Sequence, residues 1–226
     1  SYSDRFGDFM VNAASKDKRI CCITAAMALG TGLKNFSEKF PERFFDVGIA
    51  EQHAATFAAG LSRGGMLPVF AVYSTFLQRA YDQIIHDCAM QNLKIVFAVD
   101  RAGFVGSDGE SHHGIFDTAF LNSIPDITVM APTTFAELDN CFFRALYHTD
   151  GPVAVRYPRG IEPDLPEDFR YSGSDYDIYG TDGAEITIVT FGRIFAEACK
   201  SKAVLEENGD TVRILKLNTV KPISNA

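Results

Sequence analysis

Short runs of β-branched and aromatic residues alternate along this chain with longer stretches of helical period, and no other feature constrains the fold as much. The runs Ile20–Thr24, Arg43–Val47, Leu67–Val72, Lys94–Val99, Ile127–Met130 and Val153–Arg156 read as strands. Helical patterns cover Tyr2–Ser15, Ala50–Arg63, Thr75–Met90 and Thr134–Tyr147. Strand and helix in alternation predict an α/β fold, a parallel sheet flanked by helices. Several runs are apolar at consecutive positions, as strands covered on both faces are. From Pro158 to Asp182 the composition turns to Pro, Gly, Asp, Ser and Tyr with no sustained period, which reads as a surface linker without strands or helices. Beyond it, Glu185–Phe191, a helix over Ile194–Glu207 and Thr211–Leu217 make one βαβ unit, too small to form its own core and with strand edges left over. The expected division is therefore a first domain over 1–160, a linker over 161–183, and the beginning of an incomplete second domain over 184–226.

With 226 residues, 46% of them hydrophobic, the chain can bury the core of one domain and part of another. Twenty-one Lys and Arg against 29 Asp and Glu leave a net charge of −8, which argues against nucleic acid and against a polybasic membrane surface. No apolar run approaches the roughly 18 residues of a membrane span. The first ten residues carry charges where a signal peptide would be apolar, so a cytoplasmic location is expected. Five cysteines, Cys21, Cys22, Cys88, Cys141 and Cys199, show no Cys-x-x-Cys spacing. Neither a disulfide framework nor a metal site is expected from them.

Four segments carry residues suited to chemistry. In Asp46–His53, Glu51 stands where a strand hands over to a helix, the edge at which open α/β sheets bind ligands. Burial there would raise its pKa and the helix N-terminus would oppose the shift; equally, Glu51 is a first-turn acid complementing the helix dipole. In Tyr73–Gln83, Ser74 or Thr75 can cap a helix whose free N–H groups, beside Tyr73 and Arg79, suit a phosphate or carboxylate. Phe76 can stack on a heteroaromatic ring or belong to the core, and Arg79 can be an exposed helix-face cation. The loop Asp100–Gly114 combines four glycines with Arg101, Asp108, His112 and His113. Adjacent histidines do not face one metal ion together, and Ser107 and Ser111 lack a nucleophile-elbow pattern. It is a polar loop, with or without one functional histidine. Arg159, leaving the strand Val153–Arg156, is an anion ligand or a solvated arginine.

In order and spacing, Ile23–Met27 with Gly30–Leu33, Phe45–His53, Tyr73–Asp82, Asp100–Gly103 and Val155–Gly160 resemble the 1-deoxy-D-xylulose-5-phosphate synthase family of the transketolase superfamily. The resemblance covers nearly the whole chain, as a pyrimidine-binding domain followed by the start of the family's C-terminal domain. It implies a thiamine-diphosphate enzyme that condenses pyruvate with glyceraldehyde 3-phosphate, releases carbon dioxide, and feeds isoprenoid, thiamine and pyridoxal synthesis. Glu51 would then be the catalytic carboxyl that hydrogen-bonds the aminopyrimidine and favours the tautomer that removes the thiazolium proton. Phe76 would stack on the pyrimidine. The resemblance implies that Tyr73, Arg79, Arg101 and Arg159 hold the acceptor phosphate, and that Asp108 and a catalytic His112 meet polar groups of the acceptor or the pyruvate-derived adduct. A homodimer is implied as well.

The departures are informative. Ala28 and Leu29 replace a more polar or Pro-containing pair, and no role passes to His113 or His53. The family's diphosphate-binding domain, with its Gly-Asp-Gly to Asn signature for Mg2+ and its catalytic histidines, does not occur in these residues, and Gly106–Gly109 lacks the downstream Asn. The chain is expected to be inactive alone and to depend on a diphosphate-binding domain from elsewhere, which would hold the Mg2+. Two other readings stand beside this one: the β subunit of a 2-oxoacid dehydrogenase, whose lipoyl acceptor needs no phosphate clamp, and a non-catalytic remnant acting as a binding or dimerisation module.

Overall fold

The computed structural model describes residues 1–223. Its main sheet has the order β2-β1-β3-β4-β6-β5-β10, built from β1 (Ile20–Thr24), β2 (Phe44–Asp46), β3 (Leu67–Tyr73), β4 (Ile95–Asp100), β5 (Thr128–Met130), β6 (Pro152–Arg156) and β10 (Thr219–Lys221). All neighbours are parallel except β10, which runs antiparallel to β5. Every residue of β1 and β4 is buried, which is why these strands read as unbroken apolar runs.

On one face, α1 (Tyr2–Lys16) and α7 (Phe135–Tyr147) pack Phe6, Met10 and Phe142 against Tyr157 and the sheet. Ser1 starts α1 through a capping box with Asp4. On the other face lie α3 (Glu51–Arg63) and a broken helical run from Ser74 to Ala89. The buried stripe of α3 is Ala54, Ala55, Ala58 and Ala59, small residues that let its backbone approach the sheet. A second, three-stranded sheet has the order β7-β9-β8, from β7 (Tyr176–Gly180), β8 (Ile186–Phe191) and β9 (Val212–Leu217), with α8 (Ile194–Glu207) between β8 and β9.

The chain steps outward from β1 to β2 and then returns to β3 on the opposite side of β1. That reversal opens a crevice beyond the carboxyl ends of the strands. Glu51 follows β2, Tyr73 ends β3, Arg101 follows β4 and Arg159 follows β6, so all four reach the same edge of the sheet.

Several expectations need correction. The segment 161–183 is not free of regular structure: β7 lies in it, paired antiparallel with β9. Its one buried residue is Asp177, so the alternation that marks a strand is charged on its inner position and reads as polar. Residues 219–221 do not continue the second sheet but return to the edge of the first. The helix expected over 75–90 is instead Ser74–Leu77 (α4), a 3-10 turn at Gln78–Ala80, Tyr81–Gln83 (α5) and a π-helical stretch at Ile84–Ala89. Short helices α2 (Lys34–Lys39) and α6 (Asp117–Ser123) were not anticipated; each is shorter than the stretch over which a helical period shows.

Candidate active site

Glu51 is the first residue of α3 and is 2% exposed. The turn that delivers it is tied to the sheet by Asp46, whose Oδ1 accepts from the backbone N–H groups of Ala26 (2.7 Å) and Gly48 (3.0 Å). Gly48 has φ +70°, a conformation glycine adopts without steric cost. A buried carboxylate needs a counter-charge, and Arg79 supplies it, donating from Nη1 to Glu51 Oε1 at 2.9 Å. Among the described residues Oε2 of Glu51 takes no hydrogen bond.

Beside this pair stands an aromatic wall. Tyr73 and Phe76 stack with centroids 6.0 Å apart and planes inclined by 18°, and His112 meets Phe76 edge-on at 5.4 Å. Arg79 lies over the Phe76 ring, 5.1 Å from its centroid. Gly30 accommodates the hydroxyl of Tyr73: a Cβ at position 30 would lie 1.8 Å from that oxygen. Burial raises the Tyr73 pKa, keeping the phenol protonated.

The third part of the site is a chain of alternating charges. Arg101 stacks its guanidinium on Tyr73, 4.0 Å from the ring centroid, and its Nε reaches Asp108 Oδ2 at 3.3 Å. The other oxygen of Asp108 meets Arg159 Nε at 2.9 Å. Behind Arg101 lies Asp100, wholly buried at the end of β4, its pKa raised to about 6 by burial, with the attraction of Arg101 opposing the shift. The structure therefore brings Tyr73, Phe76, Arg101, Asp108, His112 and Arg159 into one contiguous set. Arg79 is committed to Glu51 rather than sharing Asp108 with Arg101 and Arg159. His113 braces the loop, its Nδ1 accepting from the N–H of Val105 at 3.1 Å, while His53 is exposed and stacks on Phe57.

The sequence assigned no role to Asp100 or Gly30, although both lie in the segments singled out above, and gave no sign of Ser3. Asp100 was open to detection as a charge closing an apolar strand; Ser3 and Gly30 touch the site from 97 and 43 residues away from β4's and β3's last residues, with no local signal. A buried carboxylate with one oxygen free of hydrogen bonds beside an aromatic face fits the pyrimidine end of thiamine diphosphate. For the diphosphate end, no group of three His, Cys, Asp or Glu side chains suited to a metal ion occurs among the described residues.

The fold is that of a transketolase-type pyrimidine-binding domain. The family model of the transketolase pyrimidine binding domain matches residues 1–163, and the chain belongs to that family. The 1-deoxy-D-xylulose-5-phosphate synthase of Halothermothrix orenii is 48% identical over 225 residues, which cover 99% of this chain and 35% of that protein. The synthase of Clostridium kluyveri is 50% identical over 226 residues, 99% of this chain and 36% of its own length. The chain thus spans about a third of the length of the curated relatives it matches. Among solved structures, a split-gene transketolase described as an inactive β4 tetramer superposes with a TM-score of 0.84 at 29% identity, covering 98% of this chain and 72% of that one. The transketolase of Campylobacter jejuni gives a TM-score of 0.85 at 19% identity over 97% of this chain and 35% of its own, a likeness of fold.

Proposed function

We propose that this chain provides the pyrimidine side of a thiamine-diphosphate-dependent synthase that condenses pyruvate with D-glyceraldehyde 3-phosphate to 1-deoxy-D-xylulose 5-phosphate and carbon dioxide. The observation that carries the reading is the pairing of Arg101 and Arg159 across Asp108, next to an aromatic wall and a buried Glu51. Two guanidinium groups at one point suit a phosphorylated acceptor, and a lipoyl acceptor has no use for them. Identity of 45–50% to synthases over nearly the whole chain supports the same reaction.

When bound, thiamine diphosphate supplies the carbanion chemistry. Glu51 offers Oε2 to a pyrimidine ring nitrogen and holds a proton there, while Arg79 fixes Oε1 so the carboxylate does not rotate away. Phe76 covers the ring face. Arg101 and Arg159 bind the acceptor phosphate, Tyr73 presents a neutral hydroxyl to it, and Asp108 and His112 face the acceptor's polar groups. In this reading residues 1–160 are the pyrimidine-binding unit, 161–183 the connecting segment, and 184–226 the beginning of a C-terminal unit. The diphosphate-binding half, with its Mg2+, comes from another part of a longer polypeptide or from a separate chain; the neighbouring split-gene transketolase, inactive as a β4 tetramer, supports such dependence. We extend the proposal to a homodimer and to the cytoplasm, the location being supported by five free, buried cysteines. No helix among the described residues is long and apolar enough to cross a membrane.

The test is reconstitution with a diphosphate-binding domain, thiamine diphosphate and Mg2+, with carbon dioxide release measured for wild type and Glu51→Gln. The expected result is turnover with glyceraldehyde 3-phosphate that falls by about a hundredfold or more in the variant, and none from the chain alone. Turnover with lipoamide in place of the aldehyde would assign the chain to the 2-oxoacid dehydrogenases. Activity indifferent to Glu51 would make it a non-catalytic module.

A further inference from the structure

We infer that Asp100, together with Ser3, is a positioning residue that presents Arg101 to the acceptor phosphate and so sets the preference for a phosphorylated over an unphosphorylated aldehyde. The inference rests on the reading above, in which Arg101 binds that phosphate. Arg101 is one of four non-glycine residues among those described with a left-handed backbone, at φ +60°, a strained conformation that persists only where neighbours enforce it. Asp100 enforces it: Oδ1 accepts from the Arg101 backbone N–H at 2.7 Å. Oδ2 of the same carboxylate lies 3.1 Å from Arg101 Nη1 and accepts from Ser3 Oγ at 2.7 Å. Nη1 also donates to Gly30 O at 2.6 Å and to Ser3 Oγ at 3.3 Å.

One edge of the guanidinium is thus saturated by Asp100, Ser3 and Gly30, and Nε is directed at Asp108. Among the described residues Nη2 has no partner, so the arginine is held flat on Tyr73 with that nitrogen left for a ligand. Arginine carries several rotatable bonds, and a guanidinium fixed before binding loses less entropy when the anion arrives. Asp100 is fully buried at the end of an apolar strand, and among the described residues the hydrogen-bond and ion-pair partners of its carboxylate are Arg101 and Ser3. Ser3 reaches it from the first turn of α1, which places the N-terminal helix in contact with the site.

The experiment uses the complete enzyme, this chain with its diphosphate-binding domain and cofactors, in wild-type, Asp100→Asn and Ser3→Ala forms. Steady-state kinetics are taken with pyruvate and either D-glyceraldehyde 3-phosphate or D-glyceraldehyde. Asn keeps the shape and the acceptor oxygen but loses the charge. We expect KM for the phosphorylated acceptor to rise about tenfold in Asp100→Asn and about threefold in Ser3→Ala, the scale of one charged and one weaker hydrogen bond. KM for pyruvate and kcat/KM for D-glyceraldehyde stay within about twofold, a split that a general structural defect would not produce. Equal losses with both aldehydes, or an unchanged KM in both variants, would overturn the inference. Ser3→Ala decides the matter if Asp100→Asn does not fold, because it deletes only a partly exposed hydroxyl. A wild-type enzyme indifferent to the phosphate would bring down the functional reading and this inference together, whereas discrimination retained by the variants removes the inference alone.

Discussion

Lys216 sits on β9 with no solvent exposure at all, and its replacement by methionine tests how the second sheet is held to the first unit. Its ammonium donates to Glu137 Oε2 of α7 at 2.9 Å and to Asn218 Oδ1, and it lies 3.7 Å from Asp177 Oδ2 on β7. Phe169, Tyr171 and Phe195 surround it with ring centroids 5.7, 5.4 and 5.6 Å away. Methionine nearly fills the volume but removes the charge, leaving Glu137 and Asp177 buried without a cation. Deleting one member of a buried ion pair typically costs about 3–5 kcal/mol. Here the low end applies, because Glu137 keeps the Thr133 N–H at 2.7 Å and Asp177 keeps Asn218 Nδ2 at 2.7 Å and the Ser172 N–H at 2.9 Å. About 3 kcal/mol corresponds to a fall in melting temperature of about 6–12 °C for a chain of this size. Denaturant titration and thermal melting of Lys216→Met measure both quantities. Glu137→Gln in the same background should recover part of the loss, since it removes one uncompensated charge, and the coupling should be about 1–3 kcal/mol. A Lys216→Met protein within about 0.5 kcal/mol of wild type would refute the argument, because it would mean that the buried acids do not depend on this cation.

Asp100 gives the stability of the protein a pH signature. A carboxyl whose pKa rises from 3.8 to about 6 on folding holds its proton in the native state where the unfolded chain has lost it, so its contribution to stability falls as pH rises from about 4 to about 6. The change is about 3 kcal/mol, read as the difference between wild type and Asp100→Asn in urea unfolding across that window; a flat difference contradicts it. Gly30→Ala should displace the Tyr73 ring, because the added Cβ would lie 1.8 Å from its hydroxyl, with a cost of about 1–3 kcal/mol in denaturant titration and a higher KM for the acceptor. Asp46→Ala removes the acceptor shared by Ala26 and Gly48, and hydrogen exchange at those two amides should accelerate by about tenfold as about 1–2 kcal/mol is lost locally.

How far the sequence carries can be judged element by element. The first six strands of the main sheet and helices α1, α3, α7 and α8 were legible, because each shows its burial as a local period or an unbroken apolar run. The placement of the candidate residues at strand ends was legible for a related reason, because that is where an α/β sheet presents its loops, whereas the roles given to them came from the family resemblance. β7 escaped because its buried position is Asp177, and the run after Tyr73 escaped because 3-10 and π turns interrupt the helical period there.

Arg79 shows the same limit at the site. Its spacing from Tyr73 says that it reaches the sheet edge, but which anion it meets depends on how deeply α3 buries Glu51, and the tertiary structure pairs the two. Lys216 with Glu137, 79 residues apart, and Ser3 with Asp100, 97 apart, are settled only there as well. The sequence by itself determined the alternating α/β plan and the set of side chains available at the carboxyl edge, since periodicity and chain order are local properties. The tertiary structure decided which charges pair, because a charge selects its partner by desolvation and distance in three dimensions, and neither is written in the spacing along the chain.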